Sequence, residues 1–178
     1  MSSAIPDDVP SRTDGVDDRR AQWAAELPEV DTRGMAILGR ARWITIAARG
    51  PIEAVFERHG IDTGEADVLF TLLRSGPPYR LRPTELYRSL MITSGGLTFR
   101  LNRLEKAGLV RRVAAEGDGR SLPVELTGEG IARARAAFRE DMAVEADLLS
   151  ALSEEEQRAL SALLRTLMLS LADRDAGK

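Results

Sequence analysis

One stretch of the sequence reads TSGGLTFRLNRLEKAGLV over residues 93–110, and its pattern decides how the chain is interpreted. Three leucines fall on one face when the stretch is projected at about 100° per residue: they are Leu97, Leu101 and Leu104. This spacing predicts a helix that runs from Thr93 through Lys106-Ala107, with its leucine face against a core. Gly108 is the predicted stop, because glycine readily adopts the left-handed conformation that ends helices.

The opposite face of this predicted helix and its flank carry hydroxyl, amide and guanidinium groups, which hydrogen-bond to base edges and phosphates in DNA. The candidate DNA contacts on the helix are Ser94, Gly95, Thr98, Asn102 and Arg103, and Phe99 lies on the same side. Gly95 and Gly96 lower the stability of a helix by about 1 kcal/mol each relative to Ala. Close approach of the backbone to DNA would compensate for this loss, and a flexible helix start is the alternative interpretation.

Two short apolar segments follow the helix and flank a polar, glycine-containing turn at residues 116–120. Residues 109–113 and 122–126 are therefore predicted to form a β-hairpin. Pro123 lacks a backbone N–H, so the second strand is expected to be an edge strand or imperfectly paired. Arg120 lies at the hairpin tip and is a further candidate DNA contact, because a single Arg can enter the minor groove. The alternative for Arg120 is an exposed turn with no role.

Composition and periodicity divide the chain into four predicted segments. They are a disordered tail at 1–15, N-terminal helices at 16–60, a helix-turn-helix lobe with the hairpin at 61–127 and C-terminal helices at 128–178. The expected fold is mainly α with a small β-hairpin wing, that is, a winged helix-turn-helix between N- and C-terminal dimerisation helices. A leucine stripe on the last helix predicts a homodimer, because the small lobe offers little surface to cover it. Its members are Leu160, Leu163, Leu164, Leu167 and Leu171.

Local signals predict where several helices begin and end. Predicted N-caps, whose side-chain oxygens can accept backbone N–H groups, are Thr63, Thr127 and Ser153. Pro83 is the expected first residue of a short helix that ends near Leu90. A helix over residues 16–27 carries Trp23, and a long helix over residues 32–59 is expected to kink or break at Gly50-Pro51.

The 178 residues carry a net charge of −3, but this charge is unevenly distributed. Between Tyr79 and Thr127, nine basic residues stand against five acidic ones, so this segment carries +4 and the remainder −7. A basic middle between acidic flanks is typical of a local DNA-binding lobe. Chance clustering of solvated arginines is the alternative interpretation.

Several function classes are disfavoured by composition. The chain contains no cysteine, which excludes disulfides and thiolate metal sites. His59 is the only histidine, and no phosphate loop or metal-ligand motif is visible, so we expect neither an enzyme nor a cofactor nor a bound metal. No apolar run approaches the ~20 residues that cross a bilayer. The polar N-terminus has no signal segment, so a cytoplasmic protein is expected.

Several short motifs occur along the chain: LRPTEL at 81–86, TSGGLT at 93–98, RLEKAGLV at 103–110, and DGR at 118–120 followed by VELT at 124–127. Together these motifs resemble the MarR family of transcriptional regulators. The resemblance spans residues 35–171. It implies a homodimer with a winged helix-turn-helix in each subunit, which binds a palindromic operator in double-stranded DNA as a repressor or occasionally as an activator.

Two further features are the extra N-terminal helix with its tryptophan and the proline-containing segment at residues 76–83. With them the chain resembles more narrowly the urate-responsive, PecS-like branch of that family. In that branch a Trp, an Asp and two Arg side chains form the ligand site, and the matching residues here are Trp23, Asp67, Arg100 and Arg112. The resemblance implies that a small anionic aromatic effector, such as urate, releases the DNA.

The predicted helix supports a special role for Arg100 independently of the resemblance. Arg100 falls beside the leucine face, where an unpaired charge is expensive. Asp67 is the expected partner, either in a purely structural ion pair or in a switch that the ligand opens. Two other interpretations stay open: a regulator that responds to another organic anion or to pH, and a DNA-binding protein without small-molecule input.

Overall fold

The computed structural model of the chain describes residues 12–90, 96–114 and 122–176. Its contacts separate two compact units, Met1–Gly50 and Pro51–Lys178. Within the described ranges, no helix combines the length and the apolar character that crossing a membrane requires. The division into four segments stays a prediction.

The first unit holds helix α1, Gly15–Glu26, and the beginning of helix α2, Arg33–Arg58. Asp14 caps α1, because its side chain accepts hydrogen bonds from two backbone N–H groups at the helix start. The guanidinium of Arg40 in α2 donates to Asp14 and to Asp17, each at 2.7 Å, and so ties the two helices together. The hydrogen bond from Arg40, with backbone N–H donors, lowers the pKa of Asp14 to about 2.

Helix α2 continues through Gly50 and Pro51, so the predicted break does not occur. A proline inside a helix removes one backbone hydrogen bond and crowds the preceding turn. In a helix of 26 residues the remaining hydrogen bonds hold the flanking turns in place.

The described part of the second unit adds five helices and a three-stranded antiparallel sheet with the order β1-β3-β2. The helices are α3 Thr63–Arg74, α4 Pro83–Ser89, α5 Leu97–Lys106, α6 Gly128–Leu148 and α7 Glu154–Ala176. The strands are β1 Arg80–Leu81, β2 Val110–Arg112 and β3 Val124–Leu126. The predicted fold class, mainly helical with a small β wing, is confirmed.

Strand β3 lies in the middle of the sheet, so the edge position predicted from Pro123 is wrong. Pro123 precedes the first residue of β3, where its missing N–H takes no part in the ladder, and its carbonyl accepts the N–H of Val113 at 2.9 Å. Strand β1 pairs with β3 at Leu81 and Val124. The sequence does not predict β1, because two residues are too few for an alternating pattern.

Three of the predicted helix starts are confirmed. Pro83 is the first residue of α4. Thr127 caps α6, where its hydroxyl accepts the N–H of Gly130 at 3.0 Å. Ser153 caps α7, where its hydroxyl accepts the N–H of Glu156 at 3.3 Å.

Helix α3 is capped by Asp62, one residue before the predicted cap Thr63. The Asp62 carboxylate accepts the N–H of Glu65, and the Glu65 carboxylate accepts the N–H of Asp62, each at 2.9 Å. This reciprocal arrangement is a capping box, and it favours Asp62 because Glu65 lies three residues beyond it.

Helix α5 begins at Leu97, four residues later than predicted, and its leucine face is buried as predicted. Gly96 precedes the helix with a φ of 97°, a left-handed conformation that glycine adopts at little cost. Leu101 and Leu104 lie in the core and Leu97 packs against it. The core also takes side chains from the end of α2, from α3, α4 and α6 and from the sheet, among them Val55, Leu69, Leu72, Leu86, Ala137 and Val124.

Candidate DNA-binding helix and effector site

The outward face of α5 is free of the core, as the helical projection predicts. Thr98, Phe99 and Asn102 are all exposed, Phe99 and Asn102 on the side away from Leu101 and Leu104 and Thr98 on the flank. Three further predicted DNA contacts, Ser94, Gly95 and Arg120, lie outside the described residues. The described part of α5 therefore presents a hydroxyl, an aromatic ring and an amide to the outside.

Arg103, a predicted DNA contact, binds the start of α3. Its Nη1 lies 3.1 Å from Asp62 Oδ2, and its Nε lies 3.0 Å from Glu65 Oε1. The Glu65 side chain is only 4% exposed, whereas that of Arg103 is 49% exposed. Arg103 thus joins α5 to the capping box of α3 and fixes the position of the outward face. Sequence reasoning missed this contact, although an Asp and a Glu three residues apart are a recognisable capping-box pattern.

Arg112, a predicted ligand residue, joins the first strand of the wing to α5. Its Nη2 donates to Asn102 Oδ1 at 2.6 Å, and its Nε lies 3.5 Å from Glu105 Oε2. The structure therefore brings a predicted ligand residue and a predicted DNA contact into direct hydrogen bonding. Any molecule that draws Arg112 away would also change the surroundings of Asn102.

Arg100 packs against the backbone of α3 at Gly64. A Cβ atom added at Gly64 would lie 2.5 Å from Arg100 Cζ and 2.7 Å from its Nη2, so only glycine leaves room for this guanidinium. Asp67 follows Gly64 by three residues and lies on the same face of α3. The structure therefore places both predicted residues on one side of α3.

The expected ion pair between Asp67 and Arg100 is not present among the contacts of the described residues. Asp67 Oδ2 and Arg100 Nη1 are each buried without a hydrogen-bond partner. The pairing prediction is wrong in this state, because the guanidinium rests over the backbone at Gly64 instead. A buried polar atom without a partner costs about 1–3 kcal/mol, so this pair of atoms calls for a functional explanation.

Trp23 belongs to the first unit, whereas the other three predicted ligand residues belong to the second. Trp23 is 46% exposed. It lines an apolar groove of about 300 Å³ together with Leu27, Val30, Asp31, Thr32 and Met35. An exposed indole beside such a groove can stack on a planar ligand.

A buried carboxylate at the base of the wing was not anticipated from the sequence. Glu125 in β3 accepts from Arg111 of β2 at 2.5 Å and from Arg80 of β1, so it connects all three strands. The hydrogen bonds from Arg111 and then Arg80 lower the pKa of Glu125. Within the described ranges, no group of carboxylate and histidine side chains is arranged to hold a metal ion.

Comparisons with known proteins agree with this architecture. Residues 59–121 match the sequence model of the MarR family. The transcriptional regulator PecS of Dickeya dadantii is 39% identical over 149 residues, which cover 84% of this chain and 90% of that protein. The transcriptional repressor Rv2887 of Mycobacterium tuberculosis is 37% identical over 49% of this chain and 63% of its own length. These relatives are described as regulators of transcription, not as enzymes, as the sequence predicts.

Solved structures share the fold. The crystal structure of Rv2887 in complex with p-aminosalicylic acid has a TM-score of 0.58 and 29% sequence identity, and the match covers 74% of this chain and 97% of that one. A mutant MarR from E. coli complexed with operator DNA has a TM-score of 0.64 and 22% identity, with 82% of this chain and 96% of that one covered. At the latter identity the likeness concerns the fold.

Proposed function

Because the chain belongs to the MarR family of DNA-binding transcriptional regulators, we propose that it is a repressor released by a small anionic aromatic ligand such as urate. In this proposal it binds a palindromic operator as a homodimer, in the cytoplasm where the DNA lies. The observation that carries the ligand response is the pair of buried, unpartnered atoms Asp67 Oδ2 and Arg100 Nη1.

DNA recognition is assigned to α5 and the wing. The proposed contacts are Ser94, Gly95, Thr98, Asn102, Arg103 and Arg120. The exposure of Thr98 and Asn102 supports this assignment, and the half-exposed Arg103 adds positive charge while it fixes α5 on α3. Because phosphate contacts dominate the affinity of such proteins, operator binding should weaken steeply with salt.

The proposed ligand residues are Asp67, Arg100 and Arg112 of the second unit and, as the resemblance to the PecS-like branch implies, Trp23 of the first unit. Within the part of the chain that the structure describes, neither Arg100 Nη1, a donor, nor Asp67 Oδ2, an acceptor, has a hydrogen-bond partner. A ligand that carries both a negatively charged oxygen and an N–H or O–H group can satisfy both atoms, whereas a simple anion would satisfy the arginine and be repelled by the aspartate. Urate meets this requirement, and its planar ring can stack on an exposed indole.

Release of DNA follows if the ligand prefers a different position of α5. Arg100 and Asn102 lie on α5, and Arg112 binds Asn102. A ligand that engages Arg100 and Arg112 therefore acts on the helix that reads DNA and on one of its proposed contacts. The ligand must bind the DNA-incompetent state more tightly, since only differential affinity shifts the equilibrium.

A substituted aromatic acid is a second candidate effector, and the ligand in the structure of a relative favours it. The Rv2887 structure holds p-aminosalicylic acid, an aromatic acid that also has donor groups. A substituted aromatic acid is thus the alternative to urate for the same residues. The two candidates differ in ring size and in the position of the charge, so parallel titrations separate them.

The homodimer is supported by apolar side chains left exposed on a single chain. The leucine stripe of α7 is exposed, and Leu163 reaches 64% exposure. A monomeric protein seldom exposes a contiguous apolar face of this kind. A second copy of the chain is the proposed cover, because two-fold dimers are the commonest closed assembly and an operator palindrome requires two reading helices.

The test is a fluorescence anisotropy titration on DNA that flanks the chain's own gene, at fixed salt, with urate and p-aminosalicylate added in parallel. We expect urate to release the wild type and to fail with Arg100→Ala and Asp67→Asn. Arg139→Ala, which removes an exposed arginine of α6, is the matched control and should release normally. Normal release by both site variants would refute the switch, and release by p-aminosalicylate alone would assign the aromatic acid as effector.

A further inference from the structure

Phe99 is an aromatic side chain on the outward face of the helix that reads DNA. The residue is 64% exposed, close to exposed Thr98 and exposed Asn102. A single exposed apolar residue needs no explanation elsewhere on a surface. Here it occupies a position where hydrogen-bonding groups are expected, and it can offer none of its own.

The ring of Phe99 is held in place by its neighbours. The guanidinium carbon of Arg103 lies 5.8 Å from the ring centroid, within the range of a cation–π contact. Arg103 is fixed in turn by Asp62 and Glu65 at the start of α3. On the preceding turn stands Gly96, which has no side chain to cover the ring. Phe99 is therefore an apolar side chain that is oriented by Arg103 and still accessible to a binding partner.

We propose that Phe99 is a specificity-determining residue that reads the C5-methyl group of a thymine in the major groove of each operator half-site. This inference rests on α5 as the DNA-reading helix and is independent of the effector. The thymine methyl is the one apolar group that base edges present in the major groove, and Phe is among the side chains that contact it. Because 5-methylcytosine carries the same methyl group, Phe99 also accepts that base.

The test measures how binding depends on a single methyl group. Once the protected operator is known from footprinting, each thymine is replaced in turn by deoxyuridine, which lacks only the C5-methyl. Affinity is measured by anisotropy at fixed salt for the wild type, Phe99→Ala and Phe99→Leu. Cytosine and 5-methylcytosine are then compared at the sensitive position.

We expect one thymine per half-site at which deoxyuridine weakens wild-type binding by about fourfold, the equivalent of one buried methyl group. Phe99→Ala should bind both operators equally, while Phe99→Leu should keep part of the difference. The wild type should bind an operator with 5-methylcytosine at this position more tightly than one with cytosine. The affinity of Phe99→Ala should be the same for both operators. Melting temperatures of the variants should match the wild type, since the side chain is exposed.

Two results would overturn the inference while leaving the regulator intact: wild-type binding that is insensitive to every methyl group, or an undiminished deoxyuridine effect in Phe99→Ala. A ring wedged between base pairs would give the first of these results, because stacking does not require the C5-methyl. Failure of the wild type to bind any operator would instead overturn the proposed function.

Discussion

Asp141 is a buried carboxylate on α6 that the proposed function does not use. It is 6% exposed, on the same face as buried Ala134 and Ala137, and its Oδ1 has no hydrogen-bond partner. Burial, with a smaller contribution from the charge of Glu145, raises the pKa of Asp141 from 3.8 to about 6. At neutral pH the folded protein therefore holds an ionised carboxylate in a place that disfavours the charge.

The size and sign of the effect follow from proton linkage. Between pH 3.8 and about 6 the folded state keeps a proton on Asp141 that the unfolded state has lost. Stability therefore falls as the pH rises through this window, and it stays reduced above it. A rise in pKa from 3.8 to about 6 corresponds to about 3 kcal/mol at 1.36 kcal/mol per pKa unit. Asp141→Asn removes the charge but leaves a buried amide, so we expect a gain of about 1–3 kcal/mol at pH 7.5.

The assay is urea unfolding of the wild type and Asp141→Asn at pH 5 and at pH 7.5, followed by circular dichroism at constant protein concentration. The variant should be clearly more stable at pH 7.5, and the difference should shrink at pH 5. Asp147→Asn, an exposed position on the same helix, serves as the control and should show no such dependence. Equal stabilities at pH 7.5, or a larger gain at pH 5 than at pH 7.5, would refute the reasoning.

Three further substitutions test contacts of the second unit. Gly64→Ala should keep or raise the melting temperature, because alanine favours a helix by about 1 kcal/mol and displaces only the flexible end of Arg100. It should nevertheless change the urate concentration that releases the operator, and an unchanged concentration would contradict a role for the position of Arg100. Glu65→Ala should destabilise the fold by about 2 kcal/mol in urea and weaken operator binding, because it removes one of the two capping-box hydrogen bonds and leaves Arg103 with Asp62 as its remaining carboxylate partner; unchanged affinity would contradict a positioning role for that arginine. Leu163→Glu should convert a dimer into monomers in light scattering, and an unchanged mass would exclude α7 from the interface.

Features governed by short-range rules were predictable from the sequence. Pro83, Thr127 and Ser153 start helices because a fixed φ or a side-chain oxygen suits the first turn wherever it occurs. The burial of Leu101 and Leu104 follows from helical spacing alone. Asp62 and Glu65 satisfy the same kind of rule, so their capping box could have been found by testing each candidate pair three residues apart.

Contacts that depend on how elements pack could not be predicted in the same way. Strand β1 is only two residues long, and it is a strand because its backbone pairs with that of β3. The central position of β3 depends on that partner, which the hairpin pattern does not reveal. The helical projection places Arg100 beside the core. The position of its guanidinium, however, depends on the space that Gly64 of α3 leaves because glycine has no side chain.

Arg100, Arg103 and Arg112 differ in the number of existing contacts that each would have to break in order to bind a ligand. Arg103 is bound by two carboxylates and Arg112 by an amide and a carboxylate, so each must exchange existing bonds for new ones. Arg100 has a buried donor with no partner, so an anion that reaches it forms a hydrogen bond without breaking another. Because desolvation of Arg100 is already complete at that atom, the net gain from such a bond exceeds that at either neighbour. In the proposed function, this difference, and not the number of arginines, is the reason for assigning to Arg100 the action of an anionic effector on α5.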